Sequence, residues 1–169
     1  MPQGTIIPYD RERAVAYARK WALGRNPAYL NYDRLGGDCT NFASQCIYAG
    51  CGIMNFAPTF GWYYIDANQK APAWTGVPYL YNFLTRRSMS VGPVGEECAL
   101  EDLRPGDLVQ LSFGGEEFQH SPVVVSVGVP AVPEKILVAA HSFDADNRPL
   151  STYDYRDIRM IHITGSIHP

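Results

Sequence analysis

The sequence predicts an α+β domain, and three observations carry the prediction. Helical periodicity is confined to the first half of the chain, β-branched runs fill the second half, and Gly- and Pro-containing turns separate the segments. Helices first and strands second favour an antiparallel sheet with the helices packed on it. The 169 residues, 46% hydrophobic and 18% charged, suffice for one sizeable core, so residues 1–169 are read as a single domain. Its 13 Pro and 15 Gly suit a loop-rich domain better than a helical bundle.

Each element follows from a local signal. Residues 10–23, DRERAVAYARKWAL, carry Asp10 as a cap and a stripe of Ala14, Tyr17, Ala18 and Trp21, a first helix that Gly24 ends. The stretch 26–37, rich in Asn, Pro, Tyr and Gly, is a loop. A second helix starts at Cys39 in GGDCTNFASQC and runs to about Ala49, its stripe formed by Phe42, Ala43, Cys46, Ile47 and Gly50. Residues 51–76 hold aromatics without periodicity and read as an irregular excursion. VPYLYNFLTRR then makes a short helix, with Pro78 tolerated in its first turn and Leu80, Phe83 and Leu84 buried. LRPGDLVQLSF, HSPVVVSVGV, KILVAAHS and RMIHITGS read as four strands, the middle two a hairpin joined through PAVPE.

Composition narrows the function. A net charge of -3 and an acidic pI near 5.7 give no basic footprint, so nucleic acid is not expected as a partner. No apolar run approaches the roughly 18 residues of a membrane span, and MPQGTIIPYDRERAV lacks a signal-peptide core. The four cysteines raise the question of disulfides. Cys39 and Cys46 lie on one helix about 10 Å apart along its axis and cannot pair. Cys46 with Cys51, or Cys51 with Cys98, are pairings open only in an oxidising compartment.

The chemistry concentrates at Cys39. Asp38 is a good N-cap, the preceding Gly pair allows a sharp turn, and a thiol in the first turn of a helix sits where the dipole favours thiolate. A cysteine nucleophile needs a base, and the base works best when a third polar group orients it. His120 opens one strand and His141 closes the next, so the hairpin is expected to bring both to one end of the sheet. Cys39, His120 and His141 can then serve as nucleophile, base and orienting residue. The Cys39 backbone N–H would donate to the developing oxyanion, worth on the order of 3 kcal/mol. Asp38, Trp62 and Trp74 are the candidate substrate-binding residues, the two tryptophans walling a groove with Tyr63 and Tyr64.

DCTNFASQC, followed by LRPGDLVQL and HSPVVVS, resembles the "Putative amidase domain" family of bacterial cysteine hydrolases. These are relatives of the NlpC-type cell-wall peptidases in the papain-like superfamily. The likeness runs from about Asp10 to Ile163 and includes VPYLYNFL. It implies a papain-like fold with N-terminal helices on a C-terminal antiparallel sheet. By position it implies Cys39 as nucleophile, His120 as base and His141 as orienting residue, acting on peptide or other amide bonds of the bacterial cell wall. The longer VGVPAVPEK connection, compared with NlpC-type relatives, leaves Asp144, Asp146 or Asn147 as replacements for His141. A thiol nucleophile requires no metal or organic cofactor, and none is expected. Two other classes remain to be compared: a zinc protein using Cys39, His120 and His141 as ligands, and a non-catalytic module binding glycan or peptide on the same fold.

Overall fold

The computed structural model describes residues 4–169. In chain order the elements are β1 (Thr5–Ile7), α1 (Arg11–Trp21), α2 (Cys39–Cys51), β2 (Tyr64–Asp66), β3 (Gln69–Lys70), α3 (Pro72–Thr75), α4 (Val77–Leu84), β4 (Gly92–Cys98), β5 (Leu108–Ser112), β6 (Val123–Val127), β7 (Ile136–Ala140), β8 (Ala145–Pro149) and β9 (Asp157–His168). The α+β class is as the sequence predicts. A curled antiparallel sheet runs β1-β9-β5-β6-β7-β8, with β4 also paired to β9. β9 is the spine: β4 lies along one edge, while β5 takes the first half of the other edge and β1 the end.

The helices form where the sequence places them. Asp10 caps α1 through its carboxylate, which accepts from Arg13 N, and α1 buries Ala14 and Ala18. α4 buries Leu80, Phe83 and Leu84, with Pro78 in its first turn. Five strands escape the sequence reading: the short pair β2 and β3, inside the stretch read as irregular, and three strands of the main sheet. β1 has all three side chains exposed, β4 is GPVGEEC, and β8 is ADNRP. None has the apolar alternation that marks a half-buried strand, and each is held by pairing to a neighbouring strand.

The sheet is apolar on both faces, which explains its uninterrupted Val-Val-Val run. Val123 and Val125 of β6 face the helices with Phe42, Ile47, Trp62, Trp74 and Leu80. Val124 faces the opposite side with Val109, Leu111, Ile136, Val138 and Leu150. The close approach of α1 to α2 depends on Gly50. A Cβ there would stand 2.4 Å from Tyr9 Cε1 and 2.8 Å from the Asp10 carbonyl oxygen. Helix propensity alone favours Gly50→Ala by about 1 kcal/mol. The clash with backbone reverses the sign, and a net loss of about 2 kcal/mol is expected. It is read as a lower urea midpoint at unchanged slope.

Candidate active site

Two glycines set the direction of α2. Gly36 and Gly37 have φ of 102° and 108°, a backbone region that residues with a Cβ rarely enter. Gly37 also passes the Ser142 hydroxyl so closely that a Cβ would lie 3.3 Å from it. Ser142 Oγ in turn accepts from the backbone N–H of Asp38 at 2.9 Å. The N-terminus of α2 is thereby tied to the segment after β7.

Asp38 does not cap the helix with its side chain, contrary to the sequence expectation. Its carboxylate turns backwards and accepts from Tyr32 N (2.8 Å), Asn41 Nδ2 (2.9 Å) and His141 Nδ1 (2.5 Å). Arg25 Nε stands 3.5 Å from the same carboxylate. Burial raises the Asp38 pKa, but the bonds from His141, Asn41 and Tyr32 prevail, and the carboxyl sits below its ordinary value. At 1% exposure Asp38 touches no substrate; it fixes the loop that delivers Cys39.

Cys39 is the first residue of α2 and is 7% exposed. Its neighbour docks the helix end onto β6: Thr40 Oγ1 lies 3.1 Å from Ser121 Oγ, which also accepts from Gln110 Nε2. Cys39 Sγ consequently lies 3.9 Å from the carbonyl oxygen of Gln119 and 3.7 Å from Thr40 Oγ1. Burial pushes the thiol above its ordinary pKa, and hydrogen bonds from Thr40 and Ser121 recover only part of that. The expectation of a dipole-lowered thiol is therefore corrected: desolvation of the thiolate outweighs the field of one helix turn.

His120 adjoins Gln119 and pairs with Leu111 at the mouth of the β5–β6 hairpin. Its ring lines a cavity of about 600 Å³ with Phe113, Gln119, Ser142, Phe143, Arg148, Tyr153 and Asp154. Among the described residues the ring makes no side-chain hydrogen bond. Burial, and secondarily the charge of Arg148, pushes the imidazole down to about 4, so it is neutral at pH 7.

His141 does not stand beside His120. The register Val123↔Ala139 and Val124↔Val138, continued to the strand ends, sets Ser142 opposite His120 and His141 opposite Ser121. Neighbouring strand residues alternate faces, so the two histidines share an end of the sheet and point to opposite sides of it. His141 stacks on Phe42 at 4.0 Å and sits between two acceptors, Asp38 Oδ2 and the Trp21 carbonyl oxygen, 2.8 Å from Nε2. The replacements offered by the sequence are engaged elsewhere: Asp144 pairs with Arg25, and Asp146 and Asn147 face Arg19.

Trp62 and Trp74 are a further correction, since both are fully buried and cannot wall a groove. Trp62 Nε1 donates to Ser44 Oγ and Trp74 Nε1 to Asn41 Oδ1, so their polar atoms are satisfied inside the core. The aromatics that do reach the cavity are Phe113, Phe143 and Tyr153. Sequence reasoning missed them because Phe143 and Tyr153 lie in turns without periodicity and Phe113 stands just past the end of β5. All four cysteines are free thiols. Among the described residues no three of His, Cys, Asp and Glu converge as metal ligands, and no helix is long and apolar enough to cross a membrane.

A buried thiol at a helix start, near a neutral imidazole that precedes β6 and lines a cavity, is a constellation suited to acyl chemistry. Residues 8–164 match the family described as "Putative amidase domain", and the chain belongs to that family. Family membership points to hydrolysis of amides. A relative in Bacillus subtilis (strain 168), "Uncharacterized protein YhbB", is 34% identical over 154 residues, covering 89% of this chain and 47% of that protein. The chain thus spans about half the length of that curated relative. No solved structure matches it.

Proposed function

We propose that the protein is a cysteine amidohydrolase of papain-like, NlpC-related type, cleaving an amide or peptide bond, with bacterial cell-wall peptide as substrate. The observation that carries this is the docking of Thr40 onto Ser121, which sets Cys39 Sγ against the residue preceding a cavity-lining imidazole. Both groups are neutral at rest, since burial raises the thiol and lowers the imidazole. Attack is therefore concerted with proton transfer rather than made by a preformed ion pair. Cys39 Sγ bonds to the amide carbon as its proton passes to His120; the tetrahedral oxyanion accepts from first-turn backbone N–H groups of α2. His120 returns the proton to the leaving nitrogen as the C–N bond breaks. Water, deprotonated by the same ring, then cleaves the thioester and restores the thiol.

The sign of the pH dependence follows. Protonating His120 removes the base, so kcat/KM is expected to hold down to about pH 5 and to fall through about 4. The direct test is rapid acid quench after mixing with soluble peptides released from bacterial cell walls, followed by peptide mapping. A peptide acyl group on Cys39, with a burst of amine product, is expected. Amine product formed without any acyl group on Cys39 defeats the reading.

A further inference from the structure

The charged groups facing the cavity are Arg148 and Asp154, and they differ in how they are held. Arg148 is half-buried and locked on three sides. Its Nε donates to Thr152 Oγ1 at 2.8 Å, its Nη2 to the Thr152 carbonyl at 3.1 Å, and its guanidinium lies 3.6 Å over the ring of Tyr153. Among the described residues it has no carboxylate partner, and its Nη1 makes no hydrogen bond. Asp154 is exposed and likewise unpaired. The Tyr153 hydroxyl is buried and has no partner. A fixed cation with a free N–H edge, beside an unpaired buried hydroxyl, is an anion-binding arrangement.

We propose that Arg148, assisted by the Tyr153 hydroxyl, binds a carboxylate of the substrate, so that the amides cleaved are those carrying a carboxylate near the scissile bond. Phe113 and Phe143, 43% and 92% exposed, supply apolar contact at the rim. Arg148 already acts on His120 through its charge, which places the guanidinium within electrostatic reach of the base. A bound carboxylate would neutralise it and raise the basicity of the imidazole, coupling substrate binding to activation of the base. This inference rests on the reading of Cys39 as the nucleophile.

Iodoacetate and iodoacetamide differ in one group, carboxylate against amide, and both alkylate thiols. The ratio of their rates at Cys39, followed by peptide mapping, cancels any general change in thiol reactivity. In the wild-type protein the ratio is expected to be about tenfold above that of free cysteine, to fall to the free-cysteine value in Arg148→Gln, and to be only partly kept in Arg148→Lys, which retains the charge but not the planar N–H edge. A wild-type ratio equal to that of free cysteine, or a ratio unmoved by Arg148→Gln, overturns the inference. With Cys39 still alkylated in a His120-dependent way, either result leaves the thiol mechanism standing; if Cys39 reacts with neither reagent, both fall. Protection of Cys39 from iodoacetamide then identifies the source of the carboxylate. N-acetylglycine protecting better than N-acetylglutamic acid α-amide marks a terminal carboxylate, the reverse an acidic side chain, and protection by neither counts against the site.

Discussion

Cys39→Ser is expected to lower kcat/KM for amide cleavage by about 10⁴-fold or more, and His120→Ala by about 10³-fold, with the double variant little worse than Cys39→Ser alone. The non-additivity is the diagnostic part. The sulfur is neutral in its buried position and becomes a nucleophile only as its proton leaves, so the ring and the thiol act as one unit. With a hydroxyl in place of the thiol, the same weak base faces a far less acidic proton. The His120→Ala defect has a second signature, because removal of the ring enlarges a cavity already about 600 Å³ in volume. Added imidazole should restore part of the rate, and the restored rate should follow the ionisation of free imidazole rather than the acid limb near pH 4. A Cys39→Ser protein within tenfold of wild type, or independent multiplicative losses in the double variant, would show that the two side chains do not cooperate.

Much of this site was legible in the sequence, and the errors have definite physical origins. GGDC predicted a sharp turn into a helix, and φ values of 102° and 108° at Gly36 and Gly37 are that turn. Helical periodicity located α1, α2 and α4: α1 and α4 each bury one stripe, while α2 is buried nearly all round and only its apolar residues mark the stripe. Strand β9 was longer than its apolar run, since Asp157–Ile158 and Ile167–His168 are recruited by β5, β4 and β1 rather than by their own pattern. The sequence singles out His141 but does not disclose where its ring lies. The parity that puts it on the face opposite His120 is a register property, and a hairpin joined by a Pro-rich connection does not disclose its register. Asp38 was read as a cap because cap propensity is local, whereas its partners Tyr32, Arg25 and His141 come from the preceding loop and the far end of the sheet. The aromatics were misassigned for a related reason: Trp62 and Trp74 look amphipathic, but Ser44 and Asn41 satisfy their ring N–H groups in the interior.

Asp38→Ala is expected to cost about 3–5 kcal/mol of folding stability. The carboxylate and the ring of His141 are each 1% exposed, so neither side chain has water to fall back on when its partner is removed. Truncation leaves His141 Nδ1, the Tyr32 N–H and one Asn41 N–H facing an empty pocket, and leaves Arg25 with the carboxylates of Asp33 and Asp144. Asp38→Asn keeps one acceptor oxygen but sets an NH2 donor where the other oxygen served either His141 or the Tyr32 and Asn41 donors, and should therefore lie between wild type and Asp38→Ala. The pH dependence supplies an internal check. Because the folded-state pKa of Asp38 is held below its unfolded value of about 4, its contribution is complete above pH 4 and is lost as pH falls through the lower folded value. Urea melts of wild type and Asp38→Asn should thus converge on acidification and diverge towards neutrality. A stability gap that stays constant from pH 7 to pH 3 would mean the carboxylate acts by shape alone. A rate defect in Asp38→Asn under fully folded conditions would show that the same contacts also position Cys39.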